Sequence, residues 1–359
     1  MKNKRIADYG INIGKLRKGA LNKITDVPGV TVGHSTIRDD THNTGVTVIM
    51  PCEANIFYRK LVGASFVHNG FGKTTGTVQV DELGTLETPI ALTNTLNVGL
   101  VSDALIQYTI DRCKREGGRA QSINTVVGEC NDSMINTITE RAVGYEHVME
   151  AINTASRDFD EGNVGAGTGT QCYGMKGGIG SASRIITLDG KDYTIGILVQ
   201  SNYGATADLR IDGKAVGEDV LDWMKRMDNS ESEDIGAASD KGSIIVVLAT
   251  DVPLTARQLR RVIRRCSVGI ARCGSYIGHG SGEVFLGFST GNVISGNDEI
   301  MNLRCVRENK LEELFRAAGE ATEEAILNSM VCSDEVRAFN GKVLRSLADY
   351  LDFAKGYDK

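Results

Sequence analysis

The central stretch 161–204, "EGNVGAGTGTQCYGMKGGIGSASRIITLDGKDYTIGILVQSNYG", constrains the fold more than any other part of the chain. It opens on the densest glycine run in the sequence, and glycine lets backbone approach backbone, or a ligand, more closely than a side chain allows. It then enters two β-prone segments, "SASRIITL" and "YTIGILVQS", on either side of "DGKD", the pattern of a hairpin. The chain as a whole holds 42 Gly against 4 Pro, which points to many tight turns and close contacts rather than to disorder.

The flanking regions alternate short β-like runs with helical ones. Residues 45–51, 60–67, 88–95 and 123–129 are rich in β-branched and small residues and are predicted as strands. Between them, 98–118 carries Val101, Leu105 and Tyr108 at helical spacing and ends in Lys and Arg before two glycines. Residues 224–242 are polar and charged and are predicted as a linker. Thr255 and Gln258 have capping-box spacing ahead of an apolar stripe formed by Leu259, Val262, Ile263, Cys266 and Ile270. A further strand is expected at 281–290. Two closing helices are expected, one carrying Leu311, Leu314, Phe315 and Ala318, the other Val336, Phe339, Leu344 and Leu347. The pattern is mixed α and β, with helices packed on largely antiparallel sheets.

A net charge of −6 gives no electrostatic footprint for nucleic acid or for an anionic membrane. No segment approaches 18 uninterrupted apolar residues, and the N-terminus lacks the apolar core of a signal peptide. Eight scattered Cys without a CxxC pair fit reduced, packed thiols in the cytoplasm better than a disulfide framework or a zinc site. With only five His, no metal centre and no cofactor are expected. Two glycine-rich runs are decoys. "NGFGKTTG" at 69–76 ends like a phosphate-binding loop, but Val67 stands where the first glycine is required. In the central run, Gly165 and Gly167 are followed by Thr170 where a dinucleotide-binding loop needs glycine.

The chemistry-bearing candidates lie elsewhere. At "KGSIIVVLATDVPL" a polar loop meets an apolar strand through Gly242 and Ser243. A serine hydroxyl is a weak nucleophile that needs a base. Breaking the Gly242–Ser243 bond would give that residue its own α-amino group, with a pKa of about 7.7–8.0. Base and nucleophile would then be tethered together. Glycine before the serine leaves the attacked carbonyl unobstructed. In "GHGSGEVFLGFST", Ser281 and Glu283 share one face of a strand and can polarise a neighbouring hydroxyl or amine. In "ILVQSNYG", Asn202 at a strand end can aim an amide donor at an oxyanion. Taken singly, each has a structural reading as well: a turn, a solvated glutamate, and turn chemistry before an aromatic and a glycine.

Together and in this order, these pieces resemble the DmpA family, the L-aminopeptidase/D-esterase and β-peptidyl aminopeptidase group. The resemblance runs over nearly the whole chain through "ITDVPGVTVGH" (24–34), "TGVTVIMP" (44–51), "ELGTLETPIALTNTLNVG" (82–99), "VVGECND" (126–132), the central glycine run, and the serine, asparagine and glutamate blocks. It implies a four-layer α/β/β/α fold and a homotetramer. It also implies a precursor that cuts itself between Gly242 and Ser243 into pieces 1–242 and 243–359. By the same resemblance Ser243 is the nucleophile, Ser281 and Glu283 orient and activate it, and Asn202 stabilises the oxyanion. Glu129 then faces the ammonium of a short peptide, amide or ester. Family members often carry an aromatic residue after that glutamate. This chain reads "ECNDSMIN" and offers Met134, which implies a pocket of different shape. Two other readings stand beside this one: an acyltransferase on the same fold, and an uncut binding or scaffold protein.

Overall fold

The computed structural model describes residues 4–228, 236–295 and 299–357. Its core follows from strands that are apolar on both faces. In the strand Gly242–Thr250, Ile244, Val246 and Leu248 point into one buried cluster, and Ile245, Val247 and Ala249 into another. Side chains alternate across a strand, so an unbroken apolar run means burial on both sides. Each fully buried Ile, Val or Leu contributes roughly 1.5–3 kcal/mol.

This strand lies inside a six-stranded sheet of order Thr85–Leu86, Lys60–Gly70, Ser281–Ile294, Gly242–Thr250, Lys191–Asn202, Gly178–Leu188. A four-stranded sheet of order Thr31–Arg38, Asn43–Met50, Ile90–Asn94, Val126–Cys130 faces it. Ile49, Leu92 and Val126 of the smaller sheet share a cluster with Leu198, Ile245 and Leu286 of the larger. The outer face of the smaller sheet is covered by the helices Val98–Arg115 and Tyr145–Asn153, through Val101, Leu105 and Val148. The outer face of the larger is covered by Ala256–Ile263, Cys266–Arg272, Glu312–Val331 and Leu347–Tyr357. The result is the expected stack of helix, sheet, sheet and helix.

The glycine run does what its composition predicts. A Cβ on Gly180 would overlap the carbonyl of Ala325, so the helix Glu312–Val331 packs directly on strand backbone. The hairpin turn falls at Asp189 and Gly190, both left-handed (φ 49° and 74°), as a two-residue turn of this hand requires. Thr255 and Gln258 form the predicted capping box, and Leu259, Val262, Ile263, Cys266 and Ile270 are all fully buried.

The sheets are largely antiparallel, as expected, with two parallel pairs, Gly242–Thr250 with Ser281–Ile294 and Ile90–Asn94 with Val126–Cys130. Two expectations are corrected. The linker 224–242 starts too early. Residues 224–228 finish the helix Gly217–Asp228, whose Trp223 is buried; residues 229–235 lie outside the described residues; and Asp240 is buried. The last predicted helix begins only at Leu347. Before it, Val336 pairs with Leu344 and Arg337 with Val343 across a turn containing Gly341 at φ 81°, and Phe339 is exposed.

Candidate active site

The strand register brings the predicted residues to one end of the larger sheet. Ser243 stands between Asn202 on its antiparallel neighbour and Gly282 on its parallel one, while Gly242 is opposite Ser281. Gly242 is left-handed at φ 118°. Its carbonyl accepts a hydrogen bond of 2.7 Å from the Ser243 hydroxyl, so Oγ already lies against the peptide group that precedes it.

Ser281 and Glu283 are both fully buried, and Ser281 Oγ donates to Glu283 Oε1. Glu283 Oε2 is buried with no hydrogen-bond partner among the described residues. Burial pushes the Glu283 carboxyl up to about 7; the Ser281 hydroxyl works in the opposite direction and negative charge on Asp240 adds to the rise. Asn69 holds this end of the strand, its Nδ2 donating to the carbonyls of Ser281 and Gly278.

Asn202 is oriented by a residue that sequence reasoning missed. The backbone N–H of Gln171 donates to Asn202 Oδ1 at 2.9 Å, which commits the oxygen and leaves the amide nitrogen as the group able to donate. The loop around Gln171 is itself clamped. Lys176, fully buried, donates from Nζ to the carbonyls of Gly167 (2.8 Å), Thr170 (2.7 Å) and Gly177 (2.8 Å). Burial drives the Lys176 pKa down.

Asp240 is a second omission. Its Oδ2 accepts from Ser275 Oγ (2.5 Å) and from the N–H groups of Tyr276 (3.1 Å) and Ile277 (3.0 Å), and its Oδ1 from Gly204 N–H (3.1 Å). Four donors tie the segment just ahead of Gly242 to the body of the protein. In the sequence this aspartate lies in a polar run, and nothing distinguishes it from its solvated neighbours.

Glu129 belongs to the facing sheet, and its carboxylate reaches the same region. Oε1 accepts from Lys73 N–H at 2.9 Å and Oε2 from the Thr95 hydroxyl. The loop that resembled a phosphate-binding turn therefore spends an amide donor on a carboxylate. Next to Glu129, the Cys130 thiol donates to the carbonyl of Ser243 at 3.4 Å. Met134 is 48% exposed and lines a cavity of about 350 Å³, together with Asn131, Gln171, Asn202, Lys241 and Lys342.

This combination of serine, carboxylates and amide donors can support acyl transfer, with a nucleophile, a serine–glutamate pair beside it, and a donor for a developing oxyanion. Among known proteins, the sequence model of Peptidase family S58 matches residues 22–344. A β-peptidyl aminopeptidase of Sphingosinicella microcystinivorans is 38% identical over 360 residues, covering 96% of this chain and 89% of the relative. A crystal structure of a protein from Pyrococcus horikoshii superposes with a TM-score of 0.90 at 42% identity, over 99% of this chain and 100% of the other. The L-aminopeptidase D-Ala-esterase/amidase of Ochrobactrum anthropi, described as a prototype serine aminopeptidase and a variant of the Ntn hydrolase fold, superposes with a TM-score of 0.89. Its identity is 31%, with 99% of each chain covered.

Proposed function

The chain belongs to peptidase family S58 and is a hydrolase, and from that premise we propose that it is a self-processing aminopeptidase whose nucleophile is Ser243. The observation that carries the reading is the 2.7 Å contact between the Ser243 hydroxyl and the carbonyl of Gly242. It sits beside the buried Ser281–Glu283 pair, one strand away in register.

In the proposed processing step Ser243 Oγ attacks the carbonyl carbon of Gly242, and the Gly242–Ser243 C–N bond breaks. The acyl group is then held as an ester on Oγ, and the freed nitrogen takes up the hydroxyl's proton. Water hydrolyses the ester, leaving a carboxylate on Gly242 and a free amino group on Ser243, between pieces 1–242 and 243–359. That amine, with a pKa of about 7.7–8.0, is the base that activates its own hydroxyl in each later turnover. Ser281 and Glu283 orient it, and the nitrogen side of Asn202 donates to the oxyanion.

The substrate's free ammonium pairs with Glu129, which is 2% exposed and held by two donors. Pairing there limits the enzyme to one residue at an amino end, since an uncompensated buried carboxylate is costly. Short peptides, amino-acid amides and esters fit this scheme.

No helix among the described residues is long and apolar enough to cross a membrane. Cys113, Cys130, Cys172, Cys266 and Cys273 are packed in the core as thiols, which supports a reducing, cytoplasmic setting. Assembly as a homotetramer is proposed from the family resemblance.

Denaturing mass spectrometry of purified protein tests the processing step: two pieces beginning at Met1 and Ser243 are expected. A single intact chain that nonetheless hydrolyses aminoacyl p-nitroanilides would overturn the nucleophile assignment. Adding an amine acceptor to the assay reads out how much acyl group passes to amine rather than to water.

A further inference from the structure

The cavity beside Asn202 has a one-sided chemistry. Of about 350 Å³, it is lined by amides, glycines and two lysines, Lys241 and Lys342, and among the described residues no carboxylate lines it. Lys342 is half-buried. It spends one ammonium donor on Gln171 Oε1, at 3.2 Å, and makes no ion pair among the described residues. An ammonium has three donors, so two remain. Loss of solvent lowers its pKa.

The position of this cation matters as much as its charge. Ser243 is flanked by Gly282 on one side and Asn202 on the other. Glu129 is held by the loop at Lys73, whose neighbour Phe71 abuts Gly282. Lys342 bonds the side chain of Gln171, whose backbone N–H bonds Asn202. The acidic and basic groups therefore approach the serine from opposite sides. A peptide whose ammonium lies at Glu129 and whose scissile carbonyl lies at Ser243 sends its departing half into the lysine cavity.

We propose that this cavity is a carboxylate site, with Lys342 as anchor, and that the substrate class is the short peptide unblocked at both ends. The inference rests on the aminopeptidase reading and adds to it the recognition of the departing half. A charge-assisted hydrogen bond at a partly desolvated site is strong enough to show as selectivity on the order of tenfold.

The test compares one dipeptide with its C-terminal amide, which differ only in the terminal group. The wild-type protein should hydrolyse the free dipeptide with kcat/KM about tenfold above the amide. Lys342→Met should bring that ratio close to one, and Lys342→Arg should keep most of it. Because the inference is read from a ratio, any general effect of the substitution on Asn202 through Gln171 cancels. Equal rates for peptide and amide in the wild type overturn this inference alone, and would follow if the carboxylate freed on Gly242 occupies Lys342. A ratio that survives in Lys342→Met also overturns it. Failure to hydrolyse either compound, or an aminoacyl p-nitroanilide, removes the aminopeptidase reading and this inference with it.

Discussion

Gly242 lies so close to Asn202 that a Cβ on the glycine would overlap the asparagine's carbonyl oxygen. The glycine is also left-handed, at φ 118°, a backbone setting that L side chains rarely adopt. The residue whose carbonyl is to be attacked and the residue proposed to donate to the oxyanion are thus packed backbone to backbone. Gly242→Ala should force the first pair of the strand register apart and strain the loop by roughly 1–3 kcal/mol. Self-cleavage is expected to slow by about tenfold or more, at 1.36 kcal/mol per factor of ten. A time course of chain cleavage by denaturing gel checks this, and an alanine variant processed at the wild-type rate would remove the geometric argument.

Replacing Ser243 with Ala removes the attacking atom while leaving the strand's apolar run intact. The expected product is one folded chain of 38.6 kDa with no hydrolysis of aminoacyl p-nitroanilides. Intact mass and circular dichroism distinguish this from misfolding. A Ser243→Ala protein that is still cut and still active would sink the mechanism.

Glu283 should make stability depend on pH in a predictable direction. Its folded pKa is raised to about 7 from the ordinary carboxyl value of 4.5. Below pH 4.5 the group is protonated whether folded or unfolded, and its contribution is fully present. As pH rises through about 7 the native state must carry a buried charge, and that contribution is lost. In the uncut Ser243→Ala background, adding Glu283→Gln should therefore raise Tm at pH 8 relative to pH 5 by a few degrees compared with the parent, on the order expected for a chain of this size. Thermal melts at the two pH values settle it; an identical pH response in both proteins would show that this carboxyl does not titrate as described.

Ser281→Ala removes the hydroxyl that, among the described residues, bonds that carboxylate. The freed Glu283 oxygen is left buried, so its pKa should rise further, and the loss should fall mainly on kcat rather than KM. A decrease of about 10²-fold or more is expected if the pair orients the reacting amine and hydroxyl. Steady-state kinetics on a fully processed sample measure it. A change confined to KM would assign Ser281 to substrate binding instead.

Lys176→Met would leave three buried carbonyls, those of Gly167, Thr170 and Gly177, without their shared donor. Each carbonyl keeps a second donor: Thr170 Oγ1 on Gly167, Gly177 N–H on Thr170 and Ser333 Oγ on Gly177. The cost is therefore that of the lost charge-assisted bonds, about 1.5–3 kcal/mol, read from denaturant unfolding. Because the same loop carries Gln171, whose N–H fixes the Asn202 amide, kcat should fall as well. Stability and activity at wild-type levels would show that the glycine loop holds its shape without the lysine.

Local patterning carried much of this. The β-branched runs marked the long strands because a pleated surface favours those side chains. Asp189-Gly190 marked the hairpin because only a few residues tolerate two consecutive positive φ values. Val336, Phe339, Leu344 and Leu347 misled because their spacing also suits a helix. The contrary signal was Asn340-Gly341, a hairpin dipeptide that places Phe339 at an exposed turn.

Which side chains meet was only partly written in the order of residues. Ser281 and Glu283 could be paired in advance because alternation along one strand is a local rule. That Gln171 holds Asn202, that Asp240 anchors the segment ahead of Gly242, or that Glu129 crosses from the facing sheet depends on strand order, register and the approach of two sheets. Those are long-range outcomes of packing, and no local preference encodes them. The sequence by itself therefore determined the elements, the family and the reactive candidates. The tertiary structure decided their partners, because hydrogen bonds and charges act over a few ångströms while the residues that make them are separated by tens to hundreds of positions along the chain.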